Sequence, residues 1–394
     1  MNKKILIGLC VVIVLFIIII VTVIPTILKS DYDERCKNRT EKCLNIYNDP
    51  KNPYPLIKQN PIPNGGKYYN EFFKKDKYYG LRDFFYAASY KTYLPCGYTN
   101  DVVSYNAIKN VLLAGARVIH LDLFYDGKDP FGDDARIIVG NVINDELSYS
   151  SCKNEKKFLE FINCLDIINE LAWRKTDSPL FLYLNMEFLP NTKLEYQIYS
   201  QLFTKCSNKF LDKYYGFQRI NIGFIPVNMT VGKLIILTNR APLNGLLNEI
   251  TNGLMSEDSS NVKLFKITNK DIEYGGIKTK FAKKEDAIKM TMNNLTAVMK
   301  ESIVNENNEY NPKDDTKNYD ASYHFELGIS ITFMSWQNKP EDYLKKFAEG
   351  GMILKPAELI YIPRPKPPVK DRNKEFDYET SKVSGLNGFY DFDF

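Results

Sequence analysis

Histidine is scarce in this chain, so its two histidines, His120 and His324, are the first candidates for acid–base chemistry. His120 lies at the C-terminal end of a predicted strand, and His324 precedes another predicted strand. Together they could form a proton-transferring pair. The alternative is that His120 is a polar residue at the strand end and His324 a surface loop residue. No Cys/His spacing resembles a zinc site.

The composition of the 394 residues is that of a globular protein, with 44% hydrophobic and 25% charged residues. The formal net charge is +4, and neither sign forms a long block. Because there is no basic stripe and no nucleic-acid-binding motif, we expect no nucleic-acid partner.

Short apolar runs alternate with longer amphipathic runs from about residue 80, which is typical of repeated βα units. The candidate strands are Phe84–Ala88, Val118–Leu123, Ile137–Val139, Leu180–Leu184, Leu234–Leu237, Lys263–Ile267, Ser330–Phe333 and Met352–Leu354. The candidate helices include Ser104–Ala114, Lys156–Trp173 and Asp286–Ser302. Eight strands separated by helices predict an α/β fold, a closed (β/α)8 barrel of the TIM type. An open doubly wound sheet is the alternative.

Residues 5–28 form an uncharged stretch dominated by Ile, Val and Leu. As a helix it would span ~36 Å, enough to cross a hydrocarbon core of ~30 Å. A cleaved signal peptide is the alternative, but its apolar region would be shorter and end in small residues. Lys3 and Lys4 precede the stretch and acidic residues follow it, which places the N-terminus in the cytosol. We therefore predict a single-pass membrane protein whose remaining chain is lumenal, extracellular or on a virion membrane.

Four segments follow from these patterns. They are an N-terminal transmembrane anchor (1–28), a stalk with many turn-forming residues (29–79), the barrel (80–362), and a Pro- and charge-rich C-terminal tail (363–394).

The cysteines and the glycosylation motifs suit an external domain. Six cysteines lie outside the apolar stretch, and Cys36 with Cys43 is the predicted local disulfide. Buried thiols are the alternative, above all for Cys164 on its apolar helix. Asn-x-Ser/Thr motifs occur at Asn38, Asn228 and Asn294.

Several segments of the chain resemble, in order and spacing, the catalytic barrel of phosphatidylinositol-specific phospholipase C. Residues 81–94 (Leu-Arg-Asp-Phe-Phe-Tyr-Ala-Ala-Ser-Tyr-Lys-Thr-Tyr-Leu) are similar to the family's first strand and its Ser-Ser-His-Asn-Thr-Tyr-Leu motif. Residues 114–127 are similar to Gly-x-Arg-x-Ile-Glu-Leu-Asp-x-Trp-Asp-Gly. Residues 178–184, 231–237, 328–337 and 347–356 are similar to later strands of that barrel. The resemblance implies a member of the PLC-like phosphodiesterase superfamily.

The resemblance also implies that most of the family's catalytic residues are replaced. Members use two histidines and a calcium ion, which three carboxylates and an asparagine hold. The two catalytic histidine positions align with Tyr90 and Val139, so we expect no catalytic residues there. The metal-ligand positions align with Lys91, His120, Asp122 and Asn185, or with Glu187 in place of Asn185 after a shift of two positions. Only Asp122 is retained, so we expect no calcium and no other cofactor.

Lys91 is an informative replacement. It places an ammonium group beside Asp122, where it can neutralise the carboxylate and repel calcium. We expect Lys91 to be the main partner of Asp122; the alternative is a solvated surface lysine.

Three functions are compatible with these residues. The leading hypothesis is a catalytically inactive, membrane-anchored binding or structural module. Its partners would be the lipid bilayer and either a lipid headgroup or a protein. The second is an active phosphoric diester hydrolase with rearranged catalytic residues, acting on a lipid or glycerophosphodiester headgroup. The third is a glycan- or protein-binding ectodomain that uses the barrel as a scaffold.

Overall fold

The structure is a computed structural model, and it describes residues 79–95, 103–127, 135–140, 142–143, 146–147, 158–267, 280–281, 283–300, 318–336, 340–347 and 350–361. The predicted anchor, tail and Cys36–Cys43 disulfide lie outside these residues, as does the predicted stalk apart from Tyr79. Within the described ranges, no helix is long and apolar enough to cross a bilayer.

Apolar runs along the chain form the strands of one large sheet and a small hairpin. The strands are β1 (Phe84–Ser89), β2 (Val118–Asp126), β3 (Arg136–Val139), β4 (Val142–Ile143), β5 (Glu146–Leu147), β6 (Leu159–Glu160), β7 (Leu180–Met186), β8 (Leu234–Thr238), β9 (Gly253–Ser256), β10 (Val262–Ile267), β11 (Leu295–Lys300), β12 (Ile331–Met334) and β13 (Met352–Leu354). The hairpin is β4 with β5.

Eight of these strands are parallel and close into a barrel in the order β1, β2, β7, β8, β9, β10, β11 and β12. The barrel closes because β1 pairs with β12 on one side and with β2 on the other, both in parallel. The predicted TIM-type α/β barrel is therefore confirmed.

Two of the eight strands predicted for the barrel belong to the sheet but are not among the eight parallel strands of the closed barrel. The run Ile137–Val139 lies in β3, which pairs antiparallel with β2, and β13 pairs antiparallel with β1. The barrel is completed instead by β9 and β11, which the sequence analysis did not identify. The predicted helix Asp286–Ser302 is wrong in its second half, because the helix ends at Asn293 and β11 begins at Leu295.

Helices flank the barrel strands. They span Tyr105–Leu113, Phe161–Leu171, Thr192–Cys206, Gly245–Ile250, Lys284–Asn293, Ser322–Glu326 and Glu341–Lys346. The longest begins where the Asn191 side chain accepts hydrogen bonds from the Lys193 and Leu194 backbone N–H groups. Cys164 and Cys206 are buried thiols on neighbouring helices, which for Cys164 is the alternative to a disulfide given above.

Aromatic side chains fill the interior of the barrel. The ring of Tyr86 on β1 lies 4.8 Å from that of Phe181 on β7, and the ring of Tyr183 on β7 lies 6.2 Å from that of Phe333 on β12. These strands are not neighbours in the sheet, so their side chains meet inside the barrel. This packed interior forms the floor beneath the side chains at the C-terminal ends of the strands.

Candidate functional site

Asp122 is the centre of a hydrogen-bonded cluster at the C-terminal mouth of the barrel, and it is 3% exposed. Its Oδ1 atom lies 2.8 Å from His120 Nε2 and accepts a hydrogen bond from Asn185 Nδ2 at 2.7 Å. Its Oδ2 atom accepts a hydrogen bond from the Tyr93 hydroxyl at 2.6 Å. Lys91 Nζ lies 3.6 Å from the same Oδ2 atom. Both carboxylate oxygens are therefore held by groups of the protein itself.

The hydrogen bonds of His120 assign its tautomer. The backbone N–H of Lys91 donates to His120 Nδ1 at 3.3 Å, so Nδ1 is the acceptor. The proton of the neutral ring then lies on Nε2, which donates it to Asp122. Since both ring nitrogens are occupied, His120 has no lone pair to offer to a substrate proton in this arrangement.

The segment after β1 brings these groups together. Lys91 has a φ of +42°, a left-handed conformation that is uncommon for residues other than glycine. Thr92 links this turn to β2 through two hydrogen bonds. Its Oγ1 atom accepts a hydrogen bond from the His120 backbone N–H at 3.1 Å, and its own backbone N–H donates one to the His120 carbonyl at 3.0 Å. As a result, Lys91 and Tyr93 both face Asp122.

Burial and the surrounding charges act in opposite directions on Asp122. Burial by itself would raise the pKa of the carboxyl group. The neighbouring His120 and Lys91, with the hydrogen bonds from His120 and Tyr93, outweigh it and hold the pKa well below its usual range. Burial and the Asp122 charge raise the pKa of the Tyr93 hydroxyl, so Tyr93 remains a donor. The cluster is an ionised carboxylate surrounded by donors.

Asn185 joins Asp122 to a second carboxylate. Asn185 pairs directly with Asp122 across β2 and β7, and its Nδ2 atom donates both to Asp122 and to Glu187 Oε1, the latter at 2.5 Å. Burial, followed by the charge of Asp122, raises the pKa of Glu187, which lies on the exposed side of the cluster. An amide therefore bridges the two carboxylates.

This set of groups does not fit a calcium ion. Calcium is bound by six to eight oxygen atoms, whereas Asp122 is surrounded by an ammonium group and by N–H and O–H donors. No group of three or more His, Cys, Asp or Glu side chains suited to a metal occurs in the part of the chain that the structure describes.

Solved structures share this architecture. PLC21 from L. pealei is 16% identical with a TM-score of 0.52, and PLC21 from S. officinalis is 15% identical with a TM-score of 0.53. Each match covers 71% of this chain but only 37% of the other. The chain has the PLC-like phosphodiesterase fold.

Other comparisons are weaker. The phosphatidylinositol-specific phospholipase C from Listeria monocytogenes is 13% identical over 68% of this chain and 94% of its own, with a TM-score of 0.42. No family model matches the sequence, and no curated protein matches it.

The two positions that the sequence resemblance assigns to catalytic histidines hold residues that pack against the barrel. Tyr90 is 5% exposed, and its ring lies 5.1 Å from the ring of His120. Val139 is fully buried on β3 opposite Leu123, and the next residue, Gly140, donates its N–H to the Asp122 carbonyl at 3.3 Å. Neither side chain presents an imidazole to the mouth.

The alternative that His324 is a surface loop residue is wrong. His324 is 3% exposed on the helix Ser322–Glu326, where its Nδ1 atom lies 3.5 Å from Thr332 Oγ1. The next residue of β12, Phe333, contacts His120 inside the barrel. Successive strand residues face opposite sides of the sheet, so His324 lies outside the barrel wall and His120 inside it. The two histidines do not form a pair.

Tyr93 belongs to the cluster but was not predicted from the sequence to be a site residue. It makes the shortest contact with Asp122. Its position two residues after Lys91, within the segment that resembles the family's first motif, is the signal that could have identified it.

Proposed function

We propose that this chain is a catalytically inactive PLC-like barrel that acts as a binding or structural module at a membrane. The observation that carries the proposal is the occupation of both Asp122 oxygens by His120, Asn185 and Tyr93, with Lys91 beside them. This arrangement leaves no open metal position at Asp122 and no unengaged ring nitrogen on His120.

The expected cost to catalysis is large. Loss of one general acid or base typically lowers a rate by ~10²–10⁴-fold, and loss of a metal lowers it further. The valine at position 139 cannot exchange a proton, and both ring nitrogens of His120 are engaged. Val139 and His120 are therefore unsuited to proton transfer in this arrangement.

The membrane part of the proposal rests on the apolar stretch 5–28, which would anchor the chain and place the barrel on the lumenal or external side. The stalk joins the barrel at Tyr79 and Gly80, and Gly80 pairs with Pro226 beside the N-terminal end of β1. The mouth is at the opposite end of β1. The predicted stalk therefore meets the barrel at the end opposite to the mouth.

A second candidate, a phosphodiesterase with rearranged catalytic groups, is favoured by Glu187. The residue is exposed beside the cluster, while partial burial of its carboxyl group and the charge of Asp122 raise the pKa of that group. A carboxyl group with these properties is suited to donate a proton to a leaving group.

A hydrolysis assay separates the two candidates. We expect the purified full-length protein to release no inositol phosphate from phosphatidylinositol vesicles above the buffer rate, with calcium or with a chelator. The same result is expected with a water-soluble glycerophosphodiester. Turnover that Glu187→Gln or His120→Ala abolishes would replace the inactive-module proposal with the second candidate.

A further inference from the structure

Two Asn-x-Ser/Thr motifs lie in the described part of the chain, and their surroundings differ. One is Asn228-Met229-Thr230, which precedes β8, and the other begins at Asn294, immediately before β11. The motif alone is only an acceptor sequence. A glycan is large and hydrated, so its asparagine must also lie where the glycan displaces no packed side chain.

Asn228 meets this requirement. It is exposed in the 3₁₀ turn Val227–Thr230, whose first and last residues are buried. The Thr230 hydroxyl donates to the Val227 carbonyl at 2.7 Å and closes the turn beneath Asn228. Within the described ranges, the Asn228 side chain makes no hydrogen bond or ion pair that a substituent would break.

Asn294 does not meet it. Its side chain is half-buried, its Nδ2 atom donates to the Met290 carbonyl at 3.1 Å, and its Oδ1 atom accepts from Asn221 at 3.5 Å. A glycan at Asn294 would have to break the contacts that end the preceding helix.

The surface around Asn228 has exposed apolar side chains that a glycan would cover. Met229 is 53% exposed and Phe224 is 45% exposed in the same segment. A hydrated glycan beside these apolar side chains would shield them from association with other molecules. The segment lies at the N-terminal end of the barrel, opposite to the mouth.

We infer that Asn228 carries an N-linked glycan and that Asn294 does not. The inference rests on the lumenal or external placement of the barrel in the proposed function. The donor is an oligosaccharide linked through diphosphate to a membrane lipid. The Asn228 amide nitrogen forms a bond to the anomeric carbon and loses one proton, while the bond from that carbon to the diphosphate breaks and the lipid diphosphate leaves.

The test is expression of the full chain in a eukaryotic secretory system, followed by an amidase that removes N-glycans. Asn228→Gln should abolish one glycan-sized step in gel mobility, whereas the matched variant Asn294→Gln should leave the pattern unchanged. Mass spectrometry after the amidase should find position 228 converted to aspartate. Asn38 is retained in every variant, so its contribution is constant.

A third variant separates failure of the glycan from failure of the membrane topology. Asp258 is exposed and precedes two serines, so Asp258→Asn creates a new acceptor motif on the barrel. An added step with Asp258→Asn, but no change with Asn228→Gln, would overturn the Asn228 inference and leave the topology standing. No added step with Asp258→Asn, together with no change with Asn228→Gln, would overturn both, because the barrel would then not face the glycosylation machinery.

Discussion

Lys91 Nζ and Asp122 Oδ2 lie 3.6 Å apart at the mouth of the barrel, so a cation that belongs to the chain stands beside the carboxylate. The predicted pairing of Lys91 with Asp122 is present in the structure. His120, Asn185 and Tyr93 make shorter contacts with the carboxylate. Lys91 supplies the charge of a full cation, while the other three hold the oxygens in place.

Asp122→Asn should destabilise the fold by about 3 kcal/mol, because it removes the buried negative charge that the donors of Lys91, His120 and Tyr93 surround. The matched control is Asp126→Asn on the same strand. Asp126 pairs with Arg136 at the surface, where a salt bridge contributes ~0–1 kcal/mol. Urea denaturation measures the free energy of unfolding of both variants. Equal losses in this free energy would show that the buried cluster stabilises the fold no more than the surface ion pair does.

His324 should make stability depend on pH below neutrality. Burial lowers its pKa from 6.5 to about 4 in the folded protein. Between these values the unfolded chain binds a proton that the folded chain does not, so the free energy of unfolding falls as the pH falls from 6.5 to 4. The loss should reach roughly 3 kcal/mol.

Thermal denaturation between pH 4 and 6.5 tests the assignment. His324→Phe preserves a ring next to Tyr319, whose ring lies 5.0 Å away, and should flatten this part of the stability profile. An unchanged slope in the variant would mean that His324 is protonated in the folded protein.

Lys355→Met should stabilise the protein at neutral pH. The Lys355 ammonium is buried near the Phe85 ring and makes no hydrogen bond among the described residues. Burial lowers its pKa from 10.5 to about 7. The unfolded chain binds more protons between these values, so wild-type stability rises from pH 7 to pH 10.5, and the variant loses this rise.

The expected gain from Lys355→Met is about 2–4 kcal/mol at pH 7, and it should shrink towards zero near pH 10.5. Chemical denaturation at the two pH values measures it. Destabilisation at pH 7 would show that the ammonium group has a compensating partner.

The barrel could be predicted from the sequence because its strands are short apolar runs. The secondary structure and the strand pairing of some runs could not be predicted. Leu295–Lys300 contains Leu, Ala, Met and Lys, which also favour helices, and it follows a helix after one residue. Its assignment to a helix was therefore wrong. Met352–Leu354 is a strand as predicted, but its antiparallel pairing with β1 depends on contacts that a three-residue pattern does not encode.

Most residues of the mouth cluster could be predicted from the sequence, but the hydrogen bonds between them could not. Alignment with a known motif placed Lys91, His120, Asp122 and Asn185 at adjacent strand ends, where the structure has them. The tautomer of His120 depends on the left-handed backbone at Lys91, which a sequence pattern does not predict for a lysine. The burial of His324 depends on the packing of a five-residue helix against β12.

Calcium titration by calorimetry tests the central claim, that protein donors occupy the place of a metal at Asp122. We expect wild-type protein to show no saturable calcium binding. The variant Lys91→Asn/His120→Glu/Asn185→Glu should gain weak binding, because it replaces the ammonium, imidazole and amide groups with oxygen ligands. Adding Asp122→Asn to that variant should abolish the gain. Saturable calcium binding by the wild-type protein that Asp122→Asn removes would contradict the account.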